Sequence, residues 1–381
     1  MAALRTGRRC AGLAVACALA ALAWPAPGRA ADSTAVRPWY ETLTLNGLLE
    51  SSFSHNFERP RSRLNALRVF DTDDDTWRLD LLELVVQRAP ARAWQAGFRF
   101  DLLWGSSVPR VEAASGLFRD PRTGVASDVD LQQAYLTYLA GVGRGLRIDA
   151  GKFVTHMGYE VIGEFDGCND NATRSLLFGY AIPFTHTGVR LSYPFSSRLS
   201  GMLCVVNGWD DARDNNDAQS LGLQVGWTPS PSLSVTLNGI SGPEQADNDS
   251  SRRSVADLVV TWKLHPRLSV GLNADLGHEA DALGPGRDAQ WEGVAGYARA
   301  TLGRRLALCA RGEYFRDRQG ARTGTPQRAK EITLTPEYRP GDGLVLRADL
   351  RHDWSDAAVF DHEGGPGKSQ TTVLFEVVFP F

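Results

Sequence analysis

The sequence has no long apolar run beyond residue 24, although 43% of its 381 residues are hydrophobic. A helix that crosses a bilayer needs roughly 20 consecutive, mostly apolar residues, so the chain downstream of residue 24 is not a helical membrane protein. The mean hydropathy of −0.24 points the same way. The apolar residues must therefore be distributed in short, interrupted segments.

Cysteine is also scarce, and the sequence has no excess of basic charge. Of five cysteines, Cys10 and Cys17 lie in the N-terminal apolar segment. Three cysteines remain, Cys168, Cys204 and Cys309. Because an odd number does not form a complete disulfide framework, we interpret them as small residues that pack in the interior. Their individual roles stay unassigned. The net charge of −3 excludes nucleic acid as a partner, because nucleic-acid binding requires a basic surface.

The sequence also lacks the patterns of common catalytic and metal sites. The seven histidines are scattered, and no HExxH, GxSxG or CxxC motif occurs. The acidic run 71–75 lacks the glycine of an EF-hand loop, and Leu82 stands where the distal glutamate belongs. We therefore predict no enzyme activity, no cofactor and no metal site. A hydrolase site that is assembled only in three dimensions stays an alternative.

The N-terminus has the pattern of an export signal. Arg5, Arg8 and Arg9 precede the apolar run 10–24, and small residues surround a cleavage point after residue 30. We predict a signal peptide at 1–30 and a short periplasmic segment at 31–40. Removal of the signal takes away four arginines and no acids, so the net charge changes from −3 to −3 − 4 = −7.

From residue 41 onward, apolar and polar residues alternate with the period of β-strands. The predicted strands are 41–54, 77–88, 92–104, 128–139, 144–153, 184–194, 198–208, 218–228, 231–241, 252–264, 267–278, 291–301, 304–316, 328–338, 342–354 and 370–381. Short connections alternate with long ones, which include 105–127, 154–183, 209–217 and 355–369. This pattern predicts an all-β, transmembrane antiparallel barrel of about 16 strands over 41–381. Its short turns would be periplasmic and its long loops extracellular.

The two faces of the strands support a water-filled barrel. In 342–354, Leu346, Ala348 and Leu350 alternate with charged residues. Charges in a dry core would each cost several kcal/mol unless they were paired, whereas a wet lumen tolerates them. The predicted lumen-wall residues are Arg99, Asp101, Arg190, Asp257, Lys263, Asp275, Arg311, Glu313, Glu331, Arg347, Asp349, Arg351 and Asp353. Pairing among these charges is the alternative, and segments 198–208 and 291–301 show no clean alternation.

Aromatic residues predict the membrane interfaces and the closure of the barrel. Tyr193, Trp227, Trp262, Tyr338 and Phe379 fall near one end of the strands, and Trp104 and Trp354 near the other. The last strand places Phe375, Phe379 and Phe381 on its lipid face, where they form a predicted assembly signal for the barrel-assembly machinery. This strand would close the barrel against strand 41–54.

Four stretches carry a resemblance to a known family. They are DAGKFVTHMGYEVIG (149–163), RSLLFGYAIPFTHTGVRLSYPFSSRLS (174–200), VVNGWDDARDNND (205–217) and LQVGWTPSPSLSVTLNGISGPE (223–244). Together they resemble the OmpL-like β-barrel porin family of Gram-negative outer membranes. The resemblance implies an outer-membrane barrel with a channel, and it implies no catalytic residues.

The longest loop after the signal, 154–183, is the candidate constriction. By analogy with general porins, we expect it to fold into the lumen; a solvated outer loop is the alternative. The candidate constriction residues are Lys152, Glu160, Glu164, Asp166, Asp170 and Arg174. Opposed charges would set a transverse field there, and the acidic excess would favour cations.

The pattern and the resemblance together predict passive diffusion of small hydrophilic solutes or ions across the outer membrane, since sixteen strands enclose an aqueous channel. Outer-membrane lipid and the assembly machinery are the other expected partners, and a homotrimer is an analogy with other porins. A barrel with a structural or adhesive role through its loops is the second alternative. The solute, the pore radius and gating stay unassigned.

Overall fold

In this computed structural model, the described residues are 39–115, 117–118, 123, 125–163, 165, 167, 169–341 and 343–381. The predicted signal peptide and most of the predicted periplasmic segment lie outside them. The chain divides into the units Met1–Thr42 and Leu43–Phe381. In the first unit, the described residues form a 3₁₀ turn at Trp39–Thr42.

The second unit is a closed barrel of sixteen antiparallel strands, as predicted. The first eight are β1 (Thr44–Asn56), β2 (Thr76–Arg88), β3 (Gln95–Trp104), β4 (Val129–Ala140), β5 (Leu146–Val154), β6 (Thr185–Pro194), β7 (Leu199–Val206) and β8 (Ser220–Ser230). The next seven are β9 (Leu233–Gln245), β10 (Asn248–His265), β11 (Leu268–Glu279), β12 (Ala289–Thr301), β13 (Leu306–Asp317), β14 (Gln327–Tyr338) and β15 (Val345–Ser355). A small hairpin of β16 (Phe360–His362) and β17 (Gly365–Gly367) precedes β18 (Ser369–Pro380), which pairs with β1 and closes the sheet.

The connections define two ends of the barrel. At the short-turn end, the connections include 195–198, 231–232, 266–267 and 302–305. Strand β1 begins at this end, and β18 ends there. The long-loop end carries 57–75, 105–128 and 155–184. An α-helix, α1 (Val108–Ser115), lies in the second of these loops. Among the described residues, no helix is both long enough and apolar enough to cross a bilayer.

One predicted long connection is instead a tight turn. Residues 242–251 are mostly strand, because β9 continues to Gln245 and β10 begins at Asn248. Asp247, the second residue of the turn between Gln245 and Asn248, adopts a φ of 57°, a left-handed conformation that a short polar residue tolerates. The side chain of Asn248 accepts hydrogen bonds from the amides of Ser250 (3.0 Å) and Ser251 (3.1 Å) and so supports the start of β10.

Large apolar side chains are exposed around the outside of the barrel. They include Leu203, Leu223, Leu237, Leu272, Leu334, Leu350 and Phe375. Near the short-turn end, the exposed aromatic residues include Trp227, Trp262, Tyr338 and Phe379. An outward apolar band with aromatic residues at its edge is the surface that lipid requires of a spanning barrel.

The structure explains the two segments without clean alternation. In β7 and β12 the inward faces carry apolar residues, such as Met202, Trp291 and Tyr297, and these are buried. The indole Nε1 of Trp291 donates to the Ala181 carbonyl (3.0 Å), and the Tyr297 ring stacks on Tyr159 at 4.0 Å. Both faces of β12 are therefore apolar because the loop between β5 and β6 packs against its inward face, whereas the inward face of β7 carries the buried Met202, Cys204 and Val206.

The C-terminal residue completes the closure. The amide of Phe381 donates to the Gly47 carbonyl (2.9 Å), and the Gly47 amide donates to the Phe381 carbonyl (2.8 Å). The aromatic ring covers Gly47, where a Cβ atom would lie 2.3 Å from Cζ of Phe381 and 2.7 Å from the Glu83 carbonyl oxygen. Only glycine leaves room for this ring at the seam.

We expect Phe381→Ser to slow barrel assembly, because it removes the apolar contact at the seam and leaves the end of the closing strand weakly held. The measurement is the fraction of outer-membrane protein that shows heat-modifiable mobility on a denaturing gel. Leu306→Ser is the matched control, since Leu306 is similarly exposed at the start of β13 (51% against 56% for Phe381). Equal assembly of both variants would contradict a special role for the terminal residue.

Candidate functional site

The loop between β5 and β6 lies inside the barrel and is called the inward loop (155–184). Its backbone amides donate to carboxylates of the inner wall: Thr173 to Asp349 (2.8 Å), and Leu176 and Leu177 to Glu313 (2.7 and 2.6 Å). A π-helical turn at Leu177–Ala181 packs against the same wall. The described residues that make these contacts therefore lie against β11–β15.

Arginines of the wall bind the same loop. The Arg311 guanidinium contacts Glu160 through Nη1 (2.7 Å) and Glu331 through Nε (2.7 Å), and it also donates to the Thr173 carbonyl (2.6 Å). Arg351 donates to the carbonyl of Arg174 (2.6 Å). These groups are buried, and a buried charge that lost its partner would cost several kcal/mol. The loop and the wall thus neutralise each other.

The predicted constriction residues in this loop are occupied by such contacts. Asp170 lies 3.3 Å from Nη1 of Arg299, while Glu160 is paired with Arg311. The Arg174 guanidinium donates to backbone carbonyls of the loop itself, including that of Ala172 (2.6 Å). Each of these groups supports the loop conformation.

The remaining constriction candidates are not brought into this cluster. Lys152 lies on β5 and pairs with Asp130 on β4, with Nζ 2.9 Å from Oδ1. Glu164 and Asp166 lie outside the described residues, as does Cys168. Whether the six candidates set the narrowest part of a pore stays a prediction.

The predicted lumen-wall residues all lie in barrel strands, and all except Lys263 are buried or half-buried. Many pair across strands: Arg347 contacts Glu376 (3.0 Å) and Glu337 (3.3 Å), and Asp353 contacts Arg68 of the loop 57–75 (2.7 Å). Asp257 accepts hydrogen bonds from Asn238 and Asn273 and stands directly across from Asp275 in the register of β10 and β11. Pairing, the alternative interpretation, therefore accounts for much of this wall.

A cavity of about 440 Å³ remains on the opposite side of the lumen, between the start of the inward loop and β3–β8. We call it the basic vestibule. Its lining residues are Arg99, Gln133, Tyr135, Arg147, Asp149, Val154, His156, Arg190, Ser192, Met202 and Gln224. A second cavity of about 140 Å³ shares Val154 and His156 with it and continues between the inward loop and Gln132.

The positive and negative groups of the basic vestibule differ in how far they are exposed to the cavity. Asp149 lies between Arg147 (Nε–Oδ1 2.9 Å) and Arg190 (Nη2–Oδ2 3.0 Å), and Asp101 holds Arg99 (2.7 Å). The Arg147 side chain is 46% exposed, whereas that of Asp149 is 1% exposed. The arginines therefore face the cavity and the carboxylates lie behind them.

Aromatic and neutral groups complete the vestibule. The Arg190 guanidinium lies over the Phe153 ring at 4.5 Å, an arrangement that orients the cation and limits its motion. Burial lowers the pKa of His156 to about 4, so its ring is uncharged at neutral pH. The cavity thus presents cationic and neutral polar groups to water.

Sequence reasoning missed part of this site. Arg147 was not among the predicted lumen residues, although it alternates with Ile148 on the same face as Asp149. The alternation alone was enough to find it. In contrast, no sequence signal shows that Gln133, Ser192 and Gln224, from three different strands, line one cavity with it.

The acidic run and the cysteines form no comparable site. Among the described residues, His55, Asp74 and Asp75 bring ligand atoms within 4.8 Å of one another. However, Asp75 pairs with His55 (2.6 Å), and Asp74 accepts the Asn56 amide (2.6 Å), so these atoms are engaged within the protein. Cys204 and Cys309 are buried free thiols.

The fold is similar to solved outer-membrane structures. The outer-membrane channel DcaP of Acinetobacter baumannii aligns with a TM-score of 0.59 at 11% identity over 89% of this chain and 97% of that chain. The anion-selective porin from Comamonas acidovorans gives 0.60 at 12% identity over 89% and 99%. The trimer form of OmpT from Vibrio cholerae gives 0.55 at 11% identity over 89% and 99%.

At such low identities these similarities concern the fold alone. A search of curated proteins found no match. The family evidence comes from the sequence itself, since residues 42–381 match the family described as beta-barrel porin-2, OmpL-like. The resemblance that was noted in the sequence is thereby confirmed, and the chain belongs to this family of outer-membrane β-barrel porins.

Proposed function

We propose that the protein is a passive diffusion channel for small hydrophilic solutes and ions. The observation that carries this proposal is the basic vestibule, a polar cavity of about 440 Å³ within the lumen. The second cavity extends from it along the inward loop, so the two mark a route beside the loop. Family and fold point to a channel rather than to an enzyme.

The inward loop would form the constriction of this channel. Its contacts with the wall of β11–β15 close that side of the lumen and leave the side of β3–β8 for solutes. On this proposal Glu160, Asp170 and Arg174 act as supports that hold the loop in place. We no longer ascribe a cation preference to Glu160 and Asp170, because arginines neutralise both carboxylates.

The environment of the channel follows from the same family membership. We propose export through the signal peptide 1–30, insertion into outer-membrane lipid by the barrel-assembly machinery, and long loops that face the exterior. Trimerisation is supported by the trimer form of the similar OmpT barrel. A purely structural or adhesive barrel would have the same surface but would not conduct.

Conductance and thiol block test the proposed route together. The purified protein in planar bilayers should conduct, and Ser192→Cys labelled with a bulky methanethiosulfonate should lose roughly half or more of its conductance, because Ser192 lines the vestibule. The buried Cys204 and Cys309 should not react, and unlabelled and labelled wild-type protein controls for this.

Arg328→Cys, an exposed position on the outer face of β14, is the matched labelling control and should leave conductance unchanged. A silent wild-type protein would contradict the channel proposal and leave the structural or adhesive alternative. A conducting Ser192→Cys protein whose conductance does not change on labelling would place the route elsewhere.

The support of the constriction is tested by Arg311→Met. This change leaves Glu160 buried without its cation and leaves Glu331 with only the longer contact to Arg351 (3.6 Å), so we expect a loss of about 3–5 kcal/mol in unfolding free energy and a noisier, larger conductance. Arg316→Met is the control on the same strand; its pair with Glu292 is partly exposed and should contribute less than about 1 kcal/mol. Denaturant unfolding in detergent measures the unfolding free energy, and single-channel recording measures the size and noise of the conductance. Similar effects of both substitutions would contradict the role of Arg311.

A further inference from the structure

We infer that the basic vestibule makes the channel selective for small anions, inorganic or carboxylate-bearing. This inference rests on the proposed diffusion function and names the class of solute for it. It differs from the expectation drawn from the sequence, in which acids of the long loop favoured cations. The evidence lies in which charges face the water and which are buried.

The first observation is the exposure of the ionic groups. Arg147 and Arg190 present 46% and 18% of their side chains to solvent, while the shared Asp149 presents 1%. Arg99 is 11% exposed and its partner Asp101 is fully buried. An ion in the cavity therefore meets guanidinium groups first. The carboxylates are buried, and their effect on such an ion is to hold the guanidinium groups in position.

The second observation is the count of charges around the cavity. Among the described residues, two guanidinium groups, Arg147 and Arg190, share a single carboxylate, Asp149. One positive charge is thus left in excess, and His156 adds none at neutral pH because burial lowers its pKa to about 4. A guanidinium also has five N–H donors, more than one carboxylate accepts, so donors are left for a passing anion.

The opposite wall at the short-turn end is basic as well. A rim cavity of about 440 Å³ lies there, and Lys263, Arg267 and Arg299 are among its lining residues. These lining residues, all within the described part of the chain, include no carboxylate. Arg299 pairs with Glu337 (1% exposed) and with Asp170 (14% exposed), so the exposed cations of this rim are Lys263 and Arg267. A solute at the short-turn end therefore has exposed cations on two sides.

Among the described residues of the inward loop, two acids are neutralised by arginines. Glu160 and Asp170 of the inward loop are paired with Arg311 and Arg299 at 2.7 and 3.3 Å. A close, buried pair acts at a distance as a weak dipole, whereas an exposed charge in a low-dielectric channel raises the local concentration of counter-ions. The overall net charge of −3 does not decide the selectivity, because solutes experience the charges of the lumen.

The test is the zero-current potential of the wild-type channel across a potassium chloride gradient in a planar bilayer. We expect chloride to be favoured several-fold at low salt, and less at 1 M salt, where the screening length falls to about 3 Å. The two vestibule variants are Arg147→Gln and Ser192→Asp. Each should lower the chloride preference by roughly two- to fourfold, the effect of one charge within a few ångströms of the route.

The variants are chosen so that folding is retained. In Arg147→Gln, Asp149 keeps its contacts with Arg190 (3.0 Å) and with the Thr137 hydroxyl (2.6 Å), so no carboxylate loses all of its partners. Ser192→Asp removes no ion pair and places its carboxylate directly across from Arg147. Arg328→Gln, on the outer face, removes the same charge as Arg147→Gln and should leave the potential unchanged.

The outcomes separate the inference from the proposed function. A conducting wild-type channel that prefers cations or shows no preference overturns the anion inference and leaves diffusion intact. Anion preference that neither vestibule variant changes overturns its assignment to this cavity. A protein that does not conduct overturns the proposed function and the inference with it.

Discussion

The structure depends on one constraint: charged side chains of the inner wall must find partners inside the barrel. The wall of β13–β15 carries Arg311, Glu313, Asp349 and Arg351, all buried. Sixteen strands enclose a space that these side chains cannot fill on their own. The inward loop supplies what is missing, with backbone amides for the carboxylates and with Glu160 and backbone carbonyls for the arginines.

This pairing decides where water can lie in the lumen. Along β11–β15 the polar groups of the loop and the wall bind each other, and the apolar residues Trp291 and Leu177 are buried there. Along β3–β8 the loop makes fewer contacts, and the basic vestibule remains open. The proposed constriction and the proposed route are therefore two consequences of one asymmetric arrangement. Because the open side is lined by Arg147 and Arg190, the arrangement also sets the charge that a solute meets.

The fold could be predicted from the sequence because lipid on one face and water on the other impose a strict alternation. Strand 342–354, with Leu346, Ala348 and Leu350 opposed to charged residues, is an example and was found as β15. Segment 291–301 does not show this alternation. The test for alternation assumes that water lies on the inner side of the strand, whereas Trp291 and Tyr297 face a packed loop. The alternation of apolar and polar residues depends on the environment on each side of a strand. A loop that folds into the barrel replaces water on the inner side with protein.

The candidate site was harder to predict, for a physical reason. The inward position of the loop 155–184 could be expected from its length and its place after β5, yet the residues that hold it are far away in sequence, as with Thr173 and Asp349. Exposure is likewise a three-dimensional property. The sequence places Arg147 and Asp149 on the same face of the strand, but only the arginine side chain is substantially exposed to the cavity. Charge counts from the sequence therefore predicted a mixed lumen, while the most exposed charge of the basic vestibule is that of Arg147.

Amide hydrogen exchange of the inward loop tests the central claim most directly. The amides of Ala172, Thr173, Ser175, Leu176 and Leu177 donate to buried carboxylates of the loop or wall. If the loop is held by the wall as described, a peptide over 171–178 should exchange as slowly as strand β14, over hours. Exchange of that peptide within seconds, as in a solvated surface loop, would contradict the account.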